Sequence, residues 1–248
     1  MVIPQFLIGL SEKEQTKYFF LTSEAQTQPI DIPARFVFYN ANAGMICGIG
    51  NKNGKDVVGR AKLFPEQEGF SPLFTLSNSR LFHTAVSPDN QKIAFLAQDE
   101  TTRETRLRVI VREEFGWFPL AFIRLKVSPA PVCFCTPDVL MFTSETGALM
   151  AVRLSKPVKT VEISPAGHSP AYSAVNRAKA FIQNHEIIII RQKAEKITVS
   201  QPSALAFSKT GQELFFADQS VLYGYDPVSK RKRRIFDASR PICFIAEL

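Results

Sequence analysis

A short turn between two apolar segments occurs twice in this chain and constrains the fold more than any other feature. In the first copy, Ser87-Pro88-Asp89-Asn90 separates the apolar residues 85–86 from a second apolar run at 93–97. Proline presets φ at the first corner of a turn, and aspartate and asparagine tolerate the sharp bend. The second copy, residues 204–217, places Ser208-Lys209-Thr210-Gly211 between similar runs. A repeated strand–turn–strand unit indicates an architecture built from hairpins.

Segments that match the first strand of this unit return along the whole sequence. They are residues 36–38, 84–86, 132–134, 172–174, 205–207 and 242–244. Their mean spacing of about 40 residues is typical of four-stranded repeat units, and helical periodicity is absent almost everywhere. We therefore predict an all-β fold in which six such units occupy residues 1–248 as a single domain. In the second unit, residues 106–111 and 122–125 are expected to form the third and fourth strands.

The hairpin unit resembles the repeat of TolB-like and WD40-like β-propellers. In that repeat the hairpin usually reads apolar-SPDG-x-apolar-x-F, and here Asn90 occupies the usual glycine position. The Gly-His and Trp-Asp signatures of WD40 repeats are absent. The resemblance, carried by residues 85–97 and 204–217, implies a six-bladed β-propeller of four-stranded antiparallel blades.

The two ends of the chain have complementary patterns. Residues 241–245 look like an innermost strand, whereas residues 6–10 and 18–21 look like the strands that follow one. We predict that the C-terminal strand pairs with the N-terminal strand and closes the propeller, which protects sheet edges. A pair of β-sandwiches, the alternative fold, does not require this complementarity.

Composition excludes little. The net charge of +7 permits an acidic partner or a nucleic acid but selects neither. The four cysteines lie in strand-like apolar segments without metal-binding spacing, so we expect buried free thiols, a reducing compartment and no metal site. The N-terminal residues do not resemble a signal peptide, and no apolar stretch approaches the ~20 residues that span a bilayer, so we expect a cytoplasmic protein with no membrane partner.

Catalytic motifs are not found. The sequence has no nucleophile elbow, phosphate-binding glycine loop or HExxH motif. His83 and His168 could face the channel of a propeller, where an ordinary polar lining is expected more often than a catalytic site. We therefore expect a protein that is not an enzyme, with no catalytic residues and no cofactor. A hydrolase or lyase built at the propeller channel is one alternative.

Two surface segments are candidate partner-binding sites. One contains two predicted hairpin tips, and its candidate residues are Arg103, Arg106, Arg112, Phe115 and Trp117. Tryptophan and arginine together are typical of binding hot spots. The alternative is that Trp117 and Phe118 pack over the edge of the blade.

The other candidate is a basic run in the fifth unit. It contains Lys230, Arg231, Lys232 and Arg233, followed by Arg234. These cations could bind phosphates or an acidic protein surface. They could equally protect an outermost strand against edge pairing.

These features favour a non-catalytic module that binds another protein in a stoichiometric complex. One specific hypothesis is an immunity protein that neutralises a bacterial toxin by covering its active site. A nucleic-acid-binding scaffold that uses residues 230–234 is a further alternative, and it predicts affinity that falls steeply with salt.

Overall fold

The computed structural model describes residues 4–12, 15–40, 44–63 and 69–248, which form 24 β-strands and no helix. In chain order the strands are β1 (Pro4–Glu12), β2 (Gln15–Thr22), β3 (Thr27–Ile30), β4 (Arg35–Asn40), β5 (Met45–Lys52), β6 (Lys55–Lys62), β7 (Ser71–Thr75), β8 (Ser79–Val86), β9 (Lys92–Asp99), β10 (Thr105–Glu113), β11 (Gly116–Pro119), β12 (Cys133–Thr136), β13 (Val139–Thr143), β14 (Leu149–Arg153), β15 (Lys159–Ser164), β16 (His168–Tyr172), β17 (Lys179–Gln183), β18 (Glu186–Ile190), β19 (Ala194–Thr198), β20 (Pro202–Phe207), β21 (Leu214–Asp218), β22 (Val221–Asp226), β23 (Arg231–Asp237) and β24 (Ile242–Glu247).

The strands form six four-stranded antiparallel sheets, which are the blades of a six-bladed β-propeller, as predicted. The chain divides into two compact units. Residues 1–32 and 169–248 hold the sheets β24-β1-β2-β3, β16-β17-β18-β19 and β20-β21-β22-β23. Residues 33–168 hold the sheets β4-β5-β6-β7, β8-β9-β10-β11 and β12-β13-β14-β15.

The predicted pairing of the chain ends is confirmed. Strand β24 pairs antiparallel with β1, with Ile245 opposite Ile8 and Ala246 opposite Leu7. Ile242 and Ile245 are buried in a cluster that also contains Ile8. The last strand of the sequence is thus the inner neighbour of the first, and the edge of β1 is covered.

Most predicted strands lie where the sequence pattern placed them, with two corrections. Residues 172–174 were expected to form an innermost strand, but β16 ends at Tyr172 and the chain turns after it. Residues 122–125 were expected to form the outer strand of their blade, but that strand is β11. The cause is the tight turn after β10, which reverses the chain at Gly116 so that β11 pairs directly with β10. Gly116 has φ 145°, a conformation that glycine adopts more readily than other residues.

Strand β9 shows how the core is built. Ala94 and Leu96 belong to a buried cluster shared with the sheet β12-β13-β14-β15, whereas Ile93 and Phe95 belong to one shared with the sheet β4-β5-β6-β7. Both faces of the strand are therefore buried between neighbouring blades, as its continuous apolar run predicts.

The Ser87 turn holds its hairpin by hydrogen bonds at both ends. The Ser87 amide donates to the carbonyl of Lys92 (2.9 Å), and the Lys92 amide donates to Ser87 Oγ (2.8 Å). The Asn90 amide donates to the Ser87 carbonyl (2.9 Å), with Asn90 at φ 59°. The left-handed conformation explains why glycine is usual at this position.

The second copy of the turn has the same geometry, and the structure shows a third turn that shares one of its backbone hydrogen bonds. Ser208 makes the equivalent bonds with Glu213, and Gly211 takes the left-handed conformation at φ 71°. Ser173 donates its amide to the carbonyl of Ala178 (2.9 Å), but its Oγ makes no hydrogen bond, and the Ala178 amide donates to Asn176 Oδ1 (3.0 Å) instead. Sequence comparison misses this third turn because it lacks proline, aspartate and glycine.

Candidate functional site

The hairpin between β10 and β11 carries the most exposed aromatic side chain of the described residues. Phe115, in the connection, is 88% exposed. Arg112 lies directly opposite Trp117 across the hairpin, so both side chains are on one face of the sheet. Phe118, the next residue of β11, is 42% exposed. We call Arg112, Phe115, Trp117 and Phe118 the aromatic turn.

Trp117 anchors this turn to the core of the blade. Its side chain is half-buried against the cluster that contains Ile110 and Phe95. The Arg112 amide donates to the carbonyl of Gln91 (2.8 Å), which ties the hairpin to the neighbouring Ser87 turn. Trp117 therefore packs on the blade, as the alternative interpretation has it, whereas Phe115 is exposed.

Arg103 and Arg106 lie at the opposite end of β10 from the aromatic turn. With ~3.4 Å per residue, the nine residues of this strand separate its two ends by about 30 Å. The five candidate residues of this blade therefore lie in two separate groups, one at each of the two predicted hairpin tips.

Arg106 is part of a local ion-pair network. Its Nη2 lies 2.7 Å from Glu104 Oε2, and Lys126 Nζ lies 2.5 Å from Glu104 Oε1. Hydrogen bonds from Lys126 and Arg106 lower the pKa of the Glu104 carboxyl. Sequence reasoning missed the basic neighbours of Arg106, although the alternation of Arg106 and Arg108 along one strand is a visible signal.

The basic run occupies an outermost strand and is largely paired within its own sheet. Lys230 lies in the connection before β23, which contains the remaining cations of the run. Arg233 makes a two-point ion pair with Glu213, and Arg234 pairs with Asp237. Lys232 Nζ lies 3.8 Å from the centroid of the Tyr223 ring. Within the described part of the chain, Lys230 and Arg231 alone among these five have no ion pair or ring contact.

His83 sits at an irregular point of the innermost strand β8. The register shifts between Phe82 and Thr84, and His83 adopts φ 37° there. Its ring centroid lies 4.8 Å from that of Phe36, which also has a positive φ. Burial lowers the pKa of His83 to about 4, so the imidazole is neutral near pH 7. His168 begins β16 and is exposed, and partial burial of its ring lowers its pKa.

The four cysteines are free thiols, as expected. Cys47 and Cys135 are buried and Cys133 is partly so, but Cys243 is exposed, which corrects the expectation of burial for that residue. Its neighbour Ile242 faces the core instead, because alternate residues of a strand point to opposite faces. The described residues contain no group of three or more His, Cys, Asp or Glu side chains placed to hold a metal ion. They also include no helix with the length and apolar character needed to cross a membrane.

Comparison with known proteins gives the fold and no closer relationship. No family model and no curated protein matches this chain. A chain from the crystal structure of a nidogen/laminin complex matches with a TM-score of 0.72 and 11% identity, over 98% of this chain and 97% of that one. A protein from Lactobacillus plantarum matches with a TM-score of 0.60 and 8% identity, over 99% of each chain.

Some of the similar structures are enzymes. The oligogalacturonate lyase from Vibrio parahaemolyticus matches with a TM-score of 0.60 and 11% identity, over 94% of this chain and 74% of that one. Because one fold carries unrelated functions, and because these identities are low, the likeness shows a β-propeller and does not decide between catalysis and binding.

Proposed function

We propose that this chain is a non-catalytic β-propeller that binds another protein through the aromatic turn. The observation that carries the proposal is Phe115, 88% exposed at the tip of a hairpin. Burying a phenylalanine ring in a partner gains a large apolar area, and aromatic side chains next to arginine are enriched in interface hot spots. No other aromatic side chain of the described residues reaches this exposure.

The hairpin is suited to binding because it is already ordered. Trp117 packs on the blade core, and the Arg112 amide is bonded to Gln91. A turn held in this way loses little conformational freedom when a partner covers Phe115, so less of the interaction energy is spent on ordering. Rigid loops on a stable scaffold are where recognition sites are usually found.

Charge favours an acidic partner. The chain carries a net charge of +7, which increases the rate of encounter with a negatively charged protein. Arg112, beside the tip, can pair with a carboxylate at the rim of a pocket that accepts Phe115. Glu113 and Glu114 flank the same tip and would repel acidic groups of a partner that lie directly opposite them.

Nucleic-acid binding through the basic run receives less support. Two of its five cations are paired with carboxylates of their own sheet, and a third lies over a tyrosine ring. A phosphate backbone would have to displace Glu213 and Asp237 before it could use Arg233 and Arg234.

The proposal is tested by capture of partners with the immobilised full-length chain. Phe115→Ser removes the exposed ring, and Val228→Ser is the matched control because Val228 is an 80% exposed apolar residue in a hairpin connection of another blade. We expect a stoichiometric partner to be retained by the wild-type chain and by V228S, at 0.15 M and 0.5 M salt, and to be lost with F115S. Equal retention by F115S would exclude the aromatic turn as the binding site.

The immunity-protein hypothesis is tested with the same variants. If the captured partner is a toxin, co-expression of the wild-type chain should restore growth of cells that express it, and co-expression of F115S should not. Failure of the wild-type chain to restore growth would remove this hypothesis and leave protein binding in place.

A further inference from the structure

Strand β10 presents two arginines on one face. Leu107 and Val109 are buried in the cluster shared with the sheet β12-β13-β14-β15. Because strand side chains alternate, Arg106 and Arg108 point to the opposite face, about 7 Å apart along the strand.

The chain segment beside β10 adds two more cations to this face. The backbones of Lys126 and Arg106 form an isolated antiparallel β-bridge, and the Leu107 amide donates to the carbonyl of Leu125 (2.9 Å). Arg124 lies two residues before Lys126 in this segment, and its side chain is exposed. Burial lowers the pKa of the Arg108 guanidinium, and the charges of Arg106 and Arg124 lower it further. We call Arg106, Arg108, Arg124 and Lys126 the cationic cluster.

Only half of the cationic cluster is neutralised. Glu104 pairs with Arg106 and Lys126, and Glu145 lies near enough to raise the pKa of Lys126. Among the described residues, no carboxylate pairs with Arg108 or Arg124. Arg108 Nε is buried and makes no hydrogen bond, whereas Arg124 Nε donates to the carbonyl of Ala121 (3.1 Å). A buried unbonded donor next to a second guanidinium is unfavourable unless an anion accepts from it.

We propose that the cationic cluster binds a phosphate dianion, either free or as the phosphate group of a small molecule. The planar guanidinium donates two parallel bonds to such an oxyanion, and the cationic cluster contains two guanidinium groups, those of Arg108 and Arg124, that no carboxylate of the described residues neutralises. The cluster is accessible, since the side chains of Arg106 and Lys126 are 41% and 48% exposed. This site is independent of the aromatic turn, which lies at the other end of β10.

The test is calorimetric titration of the full-length chain with inorganic phosphate and, separately, with phenyl phosphate, at constant ionic strength set with NaCl. Arg124→Gln removes an exposed guanidinium without opening the core, and we expect it to weaken binding at least tenfold. Arg153→Gln, an exposed arginine at the end of β14 in the same unit, is the matched control and should bind as the wild type does. Glu104→Gln should tighten binding severalfold because the carboxylate competes for Arg106 and Lys126.

Each outcome decides something. Binding of both probes with the same dependence on Arg124 assigns the site to phosphate groups of small molecules, and binding of inorganic phosphate alone assigns it to the free anion. Absence of binding to either probe, or equal affinity of R124Q and R153Q, would overturn the proposal. Arg108→Gln is used only after its folding is confirmed, because that side chain is partly buried.

Discussion

Arg233 and Glu213 form an ion pair across strand β22, with Nε–Oε1 and Nη2–Oε2 distances of 2.9 Å each. Arg233 is on β23, Glu213 precedes β21, and Gly224 of β22 lies between them. A Cβ atom at position 224 would come within 3.2 Å of Arg233 Nε and 3.3 Å of Glu213 Oε1. The absence of a side chain at Gly224 therefore leaves the space through which the ion pair crosses the strand.

This ion pair predicts a small, salt-dependent contribution to stability. Exposed pairs contribute up to about 1 kcal/mol, and ideal two-point geometry places Arg233 near the upper end of that range. Arg233→Ala should lower the free energy of unfolding by ~1 kcal/mol in urea titrations at 0.05 M NaCl, and by less at 1 M NaCl. Arg231→Ala, in the same strand but without an ion pair in the described structure, is the control and should change it little. Equal losses for the two variants would contradict the prediction.

The left-handed turn residues give a second prediction. Asn90 at φ 59° tolerates this conformation, alanine does not, and glycine adopts it freely. Asn90→Ala should therefore destabilise the fold by ~1 kcal/mol, whereas Asn90→Gly should be neutral or slightly stabilising. Chemical denaturation of both variants against the wild type measures this, and a larger loss for N90G than for N90A would disprove the assignment.

The matching position in the second turn should be less tolerant. Gly211 has φ 71°, and a Cβ atom there would lie 2.5 Å from the buried Ser173 Oγ. Gly211→Ala adds this overlap to the backbone strain and should cost more than N90A in the same measurement.

The blades were predictable because their strands carry local signals. Ile93–Ala97 and Leu214–Ala217 are continuous apolar runs next to turn residues. The C-terminal segment has the pattern of an innermost strand, and the N-terminal segments have the pattern of the strands that follow one. The position of the outer strand of the second blade was predicted wrongly. Residues 122–125 are largely apolar like a strand, but an apolar segment can cover the edge of a sheet without pairing along it. In the structure Lys126, just after this segment, forms an isolated bridge with Arg106 of β10, whereas Val127 bridges Ser144 after β13.

The candidate sites were less predictable than the fold. Sequence indicates that Arg112, Phe115 and Trp117 are close along the chain, but exposure separates Phe115 from Trp117 only after packing is known. The pairing of Arg233 with Glu213 and the grouping of Arg108 with Arg124 depend on strand register, which the pattern of a single strand does not contain.

Phe115 and Trp117 should differ sharply in their effect on stability. Phe115 is exposed, so Phe115→Ser should change the free energy of unfolding by less than about 0.5 kcal/mol. Trp117 packs against the buried cluster that contains Ile110 and Phe95, so Trp117→Ala should cost about 2–3 kcal/mol, less than a fully buried aromatic because part of the ring is exposed. Urea titration of the two variants checks this. A destabilised F115S would show that its ring is part of the folded core and unsuitable as a probe of binding.

The neutral imidazole of His83 predicts a loss of stability in acid. Its pKa is about 4 in the folded chain, against the ordinary value of 6.5. The unfolded chain therefore binds a proton first as the pH falls, so His83 costs no stability above about pH 6.5, and the loss grows as the pH falls towards 4. At 1.36 kcal/mol per pKa unit, the loss between pH 7.5 and pH 4.5 is about 2–3 kcal/mol.

His83→Asn isolates this effect. Asparagine tolerates a positive φ and does not titrate, so H83N should lose about 2–3 kcal/mol less than the wild type between pH 7.5 and pH 4.5. Carboxylates such as Glu104 titrate in both proteins, and their contribution cancels in the difference. Parallel pH profiles of the unfolding free energy would show that His83 is protonated as readily in the folded chain as in the unfolded one. A profile in which H83N gains relative stability only below pH 6.5 would place the buried imidazole, at its bulge in β8, as the acid-sensitive point of this blade.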